Sequence, residues 1–389
     1  MTPRHGRGRR AGFTLIEIMV ALVISAMLVG LTLSIFSRMS LAFRTQQNVG
    51  ELQQVLTAAQ DLIAREVRQA GFGMPDGFFV GGNELLQSPV QVVNDADGFG
   101  PDELRVYYAD ASAQARVIPP LGELVVNVDD ADDFRAGDVA VISGYDGGYL
   151  GTKKVTACVV QIEAIAGSQL TLDGAGAYGT ADNRQCAGIR AAPTTGKYTI
   201  MIYRLRARAF RIDPTRRALA VLQVSPSGGL VEDDWQDLGL GFTDLQLASR
   251  WYEAANTVDE DGDGDPTREW YSSEQQETLS YGDHALGADA PFRLASYDPL
   301  QHGLPAYPRM TELRVSLAVR THNKIDTVPS RQTPRFTDPA RPTTNPIGDR
   351  DAVVLDGVPD ASRPEELRGE HVYRYATVGT DLRNLGLGQ

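Results

Sequence analysis

The sequence has few of the residues on which catalytic and metal sites usually depend. Among its 389 residues there are two cysteines and five histidines, and the histidines are scattered without the spacing of metal ligands. There is no nucleophile elbow, phosphate-binding glycine loop or Cys-x-x-Cys pair. Because an enzyme is expected to show at least one convergent polar cluster, we expect a protein without catalytic activity.

Basic residues are outnumbered by acidic residues after the first twelve positions. The formal net charge is −13, and four arginines lie in that leader. Without them the chain carries 33 basic residues against 50 acidic ones, a net charge of −17. A body this acidic repels phosphate backbones, so nucleic acid is not expected as a partner.

Proline is absent between Phe13 and Gly73, and the first part of this stretch is a long apolar run. Residues 13–36 carry a single charge, Glu17. At about 1.5 Å per residue they span the ~30 Å hydrocarbon core of a membrane. A secretory signal is the rival interpretation, but its apolar region is shorter and no small-residue cleavage pattern follows. The preceding arginines favour a cytoplasmic N-terminus, which places the rest of the chain outside the cytoplasm.

After the apolar run, residues 37–73 become amphipathic. Apolar residues recur at three- and four-residue steps, which predicts one helical stripe that faces a core. The stripe consists of Val49, Leu52, Val55, Leu56, Ala59, Leu62, Ile63 and Val67. We therefore predict one helix from about Phe13 to Ala70 that ends at Gly71 or Gly73.

Beyond the helix, alternating and β-branched stretches predict antiparallel strands. They cover residues 103–110, 123–128, 138–144, 153–165, 168–174, 197–212, 218–225, 242–253 and 310–322. Residues 323–368, rich in proline, arginine and aspartate, are expected to form a long loop. The predicted fold class is α+β, with a long N-terminal helix packed on a large antiparallel β-sheet head with insertions.

The segment from Gly12 to Glu17 resembles the class III signal of type IV pilins and type II secretion pseudopilins. Its basic leader, glycine, phenylalanine, acid at fixed spacing and apolar run all coincide. The resemblance implies that a prepilin peptidase cuts between Gly12 and Phe13 and methylates Phe13. It also implies that Glu17 pairs with the N-terminus of a neighbouring subunit during assembly. A plainer interpretation is that Glu17 reaches the water at the headgroups.

Shorter stretches are similar to one branch, the minor pilins of the PilW type. These are Ala70-Gly71-Phe72 at the end of the helix, strands at 242–252 and 312–321, and Leu382-Arg383-Asn384 near the end of the chain. The resemblance implies a subunit in or priming a type IV pilus or its tip. Its partners would be the major pilin, other minor pilins and a tip adhesin. A J-type pseudopilin of type II secretion is the alternative, and a merely membrane-anchored extracellular domain is the opposing class.

The resemblance implies a division of the chain into four parts. Residues 1–12 are a cytoplasmic leader, 13–36 a transmembrane helix, 37–73 its amphipathic continuation, and 74–389 an extracytoplasmic head. The expected location is the bacterial inner membrane as a single-pass protein with a periplasmic head, and the pilus or pseudopilus after assembly.

Placed outside the cytoplasm, Cys158 and Cys186 are expected to form a disulfide. It would close a loop of nearly thirty residues and stabilise the head by roughly 3 kcal/mol. Two unpaired buried thiols are the alternative.

An aspartate-rich segment at 258–270 predicts a calcium site. Asp259, Asp261, Asp263 and Asp265 alternate with short spacers, and calcium takes six to eight oxygen ligands. The segment is not an EF-hand, because the twelfth position counted from Asp259 is Trp270 rather than glutamate. A solvated acidic turn is the alternative.

Overall fold

The structure is a computed structural model that describes part of the chain. The described residues are 14–74, 77–80, 88–93, 101–118, 122, 124–146, 154–174, 200–213, 215–223, 235–252, 264–265, 268–273, 309–320 and 373–382. The predicted loop at 323–368 lies outside them. Two compact units are present, Met1–Glu51 and Leu52–Gln389.

One helix and fourteen strands make up the described architecture. The helix is α1 (Leu15–Gln69). The strands are β1 (Phe79–Val80), β2 (Val90–Val93), β3 (Glu103–Ile118), β4 (Val125–Val128), β5 (Val139–Asp146), β6 (Lys154–Ala166), β7 (Gln169–Leu172), β8 (Met201–Asp213), β9 (Ala218–Gln223), β10 (Trp235–Leu240), β11 (Phe242–Tyr252), β12 (Arg268–Ser272), β13 (Arg309–Arg320) and β14 (Tyr373–Asp381). The predicted fold class, a long helix followed by a large antiparallel sheet, is confirmed.

The C-terminal part of α1 lies in the main core of the second unit. The stripe residues Leu52, Leu56, Ala59, Ile63 and Val67 are buried, and Val55 and Leu62 are half-buried. Glu51, Asp61 and Arg65 on the other faces are exposed. The stripe packs with residues of β2, β3, β8 and β9 and with residues of β11 to β14. Burying an Ile or Leu side chain contributes about 1.5–3 kcal/mol, so this stripe is a large part of what holds the helix to the sheets.

Strands β11 to β14 form a four-stranded antiparallel sheet in the order β12-β11-β13-β14. Its residues Leu247, Val315 and Leu317 lie in the same core as the stripe of α1. The buried carboxylate of Asp102, just before β3, accepts a hydrogen bond from the Leu247 N–H at 2.7 Å. This bond joins the small sheet to the larger one.

The larger sheet contains a closed ring of six strands. β3 pairs with β8, β8 with β5, β5 with β6, β6 with β7, β7 with β4, and β4 returns to the far end of β3. The ring encloses its own apolar core, which includes Val126, Phe134 and Ile162. The ring includes the pairing of β3 with β8, two antiparallel strands that are distant in sequence.

Local patterns missed several strands. β10 is short and carries aspartate and glycine, and β1, β2 and β12 have five residues or fewer, so none shows a sustained alternation. β1 is parallel to β6, with Phe79 opposite Cys158. Such a short parallel pairing depends on the position of a strand that is distant in sequence, and no local sequence pattern predicts that position.

Candidate functional site: the N-terminal helix and its anchorage in the head

The N-terminus of α1 is closed by a reciprocal pair of side chains. The Thr14 N–H and hydroxyl each donate to Oε2 of Glu17 at 3.0 Å. In return the Glu17 N–H donates to Oγ1 of Thr14 at 3.4 Å. This arrangement is a capping box, which satisfies N–H groups that a helix start leaves without partners.

The capping box gives Glu17 a local role that the sequence interpretation overlooked. The signal for it is Thr14-x-x-Glu17 directly before an apolar run. The bonds that Thr14 donates use only Oε2, and Oε1 accepts none from the residues that the structure describes. One oxygen of this exposed carboxylate therefore holds the helix start while the other remains available to a further donor.

The apolar run that follows is exposed along its whole length. Among the described residues, α1 is the helix that is long and apolar enough to cross a membrane by length and composition. Its exposed large side chains are Leu15, Ile16, Ile18, Met19, Val20, Leu22, Val23, Ile24, Met27, Leu28, Val29, Leu31, Leu33, Ile35, Phe36, Met39 and Phe43. They surround the helix rather than forming one stripe, which is typical of a helix whose entire surface meets an apolar environment.

A polar residue within this run is satisfied by the helix itself. The hydroxyl of Thr32 donates to the carbonyl oxygen of Leu28 at 2.7 Å and to that of Val29 at 3.0 Å. Because the donor is bonded internally, Thr32 adds little of the cost of placing an unsatisfied polar group in lipid.

The other end of α1 is anchored in the head by a buried acid. Glu66 is 8% exposed and accepts a hydrogen bond from the hydroxyl of Tyr108 on β3 at 2.6 Å. The Nε atom of Arg208 on β8 lies 3.9 Å from the same carboxylate oxygen. Helix, β3 and β8 are thus joined at one point by a hydrogen bond and a charge pair.

The same contacts change the titration of Tyr108. Burial, the hydrogen bond to Glu66 and the charge of Glu66 raise the pKa of Tyr108 to about 12, while Arg208 acts in the opposite direction. Tyr108 therefore keeps its proton, and its role as donor to Glu66, throughout the physiological pH range.

After α1 the chain is fixed by two glycines in the left-handed region. Gly71 has a φ of 75° and Gly73 a φ of 78°, and a Cβ on Gly73 would lie 2.6 Å from Cβ of Ala109. The Gly71 N–H donates to the Tyr107 carbonyl at 3.1 Å, and the Ala109 N–H donates to the Phe72 carbonyl at 2.9 Å. These contacts join the end of the helix to β3, and the two left-handed glycines agree with the predicted end at Gly71 or Gly73.

The remaining predicted site residues lie wholly or partly outside the described part of the chain. Gly12, Phe13, Cys186, Asp259, Asp261 and Asp263 are outside it. Cys158 is buried within the core of the ring, and the carbonyl of Asp265 accepts a bond from the Arg268 N–H at 3.1 Å. Within the described ranges no group of His, Cys, Asp or Glu is placed to hold a metal ion. The disulfide and calcium sites remain predictions.

Comparison with known proteins supports the N-terminal assignment. Residues 7–33 match the model of the prokaryotic N-terminal methylation motif. The comparison with curated proteins found no match. A solved structure, a type IV-like pilin from Thermus thermophilus, aligns over 86% of this chain and 96% of its own, with 9% identity and a TM-score of 0.33. A similarity at that score does not by itself assign a fold or a function.

Most of the matched motif lies on the long helix, and antiparallel strands follow that helix. The matched segment contains Glu17, its capping partner Thr14 and most of the exposed apolar run. The helix continues into a head of antiparallel strands. The chain therefore carries a prepilin-type N-terminal methylation motif on a long helix followed by an antiparallel sheet, and it is a type IV pilin-like protein in these two respects.

Proposed function

We propose that this protein is a minor pilin-like subunit of type IV pilus assembly, incorporated in or priming the filament or its tip. The observation that carries the proposal is the methylation motif at 7–33 joined to a helix whose apolar side chains are exposed all round. The processing enzyme is a prepilin peptidase that cuts between Gly12 and Phe13 and methylates Phe13. The activity of the protein is structural rather than catalytic.

The exposed apolar part of the helix is buried first in the membrane and then in the filament. Each large apolar side chain gains about 1.5–3 kcal/mol on leaving water, so the run from Leu15 to Phe36 first enters the inner membrane. The leader arginines keep the N-terminus in the cytoplasm, and the head is periplasmic. In a filament the same side chains pack against helices of the major pilin and other minor pilins.

Glu17 directs the transfer of the helix from the membrane into the filament. Cleavage frees an amino group on Phe13, and a carboxylate in lipid is costly unless it is paired. Oε1 of Glu17, which the capping box leaves available, accepts a hydrogen bond from the amino group of a neighbouring subunit. The capping box meanwhile holds the carboxylate at the helix start, where a neighbour's amino group arrives.

Two variants separate the assembly role of Glu17 from its capping role. Glu17→Ala removes both roles, whereas Thr14→Ala removes the side-chain cap and leaves the carboxylate. We expect Glu17→Ala to abolish incorporation into filaments while membrane fractionation still finds the protein inserted, and Thr14→Ala to assemble. Equal loss of assembly in both variants would mean that Glu17 acts through the cap alone.

The filament itself gives the direct test of processing and incorporation. Surface filaments are sheared from the native bacterium and searched by mass spectrometry for a peptide that begins at Phe13 with one added methyl group. We expect this peptide together with a major pilin. A processed peptide confined to the cell envelope would favour the J-type pseudopilin of type II secretion, and an uncut leader would contradict the proposal.

We also propose that the head contains a Cys158–Cys186 disulfide. Cys158 is buried in the core of the ring. A free-thiol assay on denatured, unreduced protein should detect no thiol. Detection of two thiols per chain would contradict the disulfide.

Calcium is the proposed ligand of the segment that contains Asp259, Asp261, Asp263 and Asp265. An ion that binds only the folded state raises the melting temperature. We expect a higher melting temperature in millimolar calcium than in chelator. Equal values would show that the segment is an ordinary acidic turn.

A further inference from the structure

A row of arginines lies on one face of β8 beside the end of α1. Arg204, Arg206 and Arg208 alternate along the strand, so their side chains share one face. On β3 the residues opposite Arg206 and Arg204 are Tyr108 and Asp110. This concentration of positive charge is unexpected in a chain whose formal net charge is −13.

A bulge in β3 opens the sheet at this point. Asp110 pairs with Arg204 and Gln114 with Tyr203, so three residues of β3 have no counterpart on β8. The bulge is held by Ser112, whose N–H and hydroxyl donate to Oδ1 of Asp110 at 3.0 and 2.6 Å. Bulges of this kind redirect side chains and recur next to binding sites.

Asp110 does not use the full donor capacity of the two arginines. Nη2 of Arg204 and Nε of Arg206 both donate to its Oδ2 at 2.8 Å. Burial raises the pKa of Asp110, but the bonds from Ser112 and the two arginines outweigh this and hold the pKa well below its usual range. Each guanidinium has five N–H donors, and most of them meet no acceptor among the described residues.

A cavity of about 460 Å³ lies between this cluster and the end of α1. Arg68 and Gln69 of the helix, Phe72, the bulge residues and Arg206 line it. The side chain of Arg206 is 47% exposed and reaches the cavity from the sheet, and Phe72 is 39% exposed and adds an aromatic wall. Cavities of this size hold small molecules.

We propose that this cavity binds a small organic anion that bears a phosphate or carboxylate group. Arg206 holds the anionic oxygens through N–H donors that Asp110 does not use, and Phe72 contacts the organic body. Planar guanidinium groups match the paired oxygens of phosphates and carboxylates, and bonds between two charged groups are the strong ones. Arg68 also lines the cavity. The site is independent of the N-terminal motif and of assembly.

The test titrates the full chain in a nonionic detergent with phenyl phosphate and, separately, with inorganic phosphate, followed by phosphorus NMR. We expect saturable binding of both probes, with phenyl phosphate the tighter because of Phe72. Arg206→Gln should weaken phenyl phosphate binding about tenfold or more, because it removes a charge-assisted donor. Arg206→Lys, which keeps the charge but not the planar fork, should weaken it several-fold while preserving the fold.

Arg216→Gln is the matched control. Arg216 is similarly exposed and pairs with Asp213 and Asp237, outside the residues that line the cavity. Its loss should leave the affinity unchanged within about twofold. Binding that does not saturate, or equal affinity in the wild type and both Arg206 variants, would overturn the proposed site. Equal affinity for the two probes would overturn the organic ligand.

Discussion

The two ends of α1 have similar side chains and opposite surroundings. Ile24 is 53% exposed, whereas Ile63 is 0% exposed in the core of the head. A helix forms from local bonds, but most of its stability in a protein comes from what its apolar face packs against. The C-terminal part of the helix packs its apolar face against strands of its own chain, whereas the apolar side chains of the N-terminal part are exposed.

The matched pair Ile63→Ala and Ile24→Ala should separate the two ends most strongly. Ile63→Ala leaves a cavity in the main core and should lower the free energy of unfolding of the head by about 2–5 kcal/mol. Ile24→Ala should change it by less than about 0.5 kcal/mol. All three tryptophans lie in the head, so urea titration followed by tryptophan fluorescence reports its unfolding. A comparable loss of unfolding free energy in both variants would show that the two ends of the helix do not differ in this way.

The joint between helix and sheet should give the next largest effect. Gly73→Ala forces an alanine into the left-handed region and its Cβ against Ala109, so we expect a loss of about 2–4 kcal/mol. Gly137→Ala is the control, because its φ of 92° is also positive but a Cβ there meets no atom within 4 Å. That variant should lose only about 1–2 kcal/mol. Equal losses would mean that contact with Ala109 does not matter.

Removing the bond between Tyr108 and Glu66 should have a smaller effect. Tyr108→Phe leaves a buried carboxylate without its donor, which should cost about 1–3 kcal/mol in the same titration. Tyr203→Phe serves as the control, because its hydroxyl makes no hydrogen bond within the described part of the chain. If the two substitutions cost the same, Glu66 is not an anchor.

The smallest effect is a dependence on alkaline pH. The pKa of Tyr108 is about 12 in the folded protein, above its ordinary value of 10.0. The neutral hydroxyl therefore stabilises the fold fully below pH 10, and this contribution is lost as the pH rises from 10 to 12. The difference in stability between wild type and Tyr108→Phe should shrink over that interval. A constant difference would contradict the role of Tyr108 as a protonated donor.

Most of the helix could be predicted because its signals are local. Three local patterns predict it: the apolar run, the stripe from Leu52 to Val67, and the glycines after Ala70. Glu66 could not be predicted as buried, because it becomes so only when Tyr108 and Arg208 arrive from strands far along the chain. The same applies to the ring, since the pairing of β3 with β8 has no local signature.

The candidate site likewise has features with a local sequence signal and features that depend on residues distant in sequence. Glu17 was found from its spacing to the leader and the apolar run, and its capping role was also present in the sequence as Thr14-x-x-Glu17. The arginine-lined cavity was hidden, because alternation along β8 suggests only a strand with one polar face. The bulge that opens the sheet beside Arg206 is a property of two paired strands.

The closed ring has a consequence for the time course of folding. Its closing strands place Asp110 against Arg204, 94 residues later in the chain, so the ring cannot close until β8 has emerged. Contacts between such distant residues slow folding, because the loop between them must be ordered before the contact forms. The helix depends on local bonds and can therefore form before β3 pairs with β8. The head is therefore the last part of the protein to become native, and its exposed strands are the part that most needs protection from aggregation on the way.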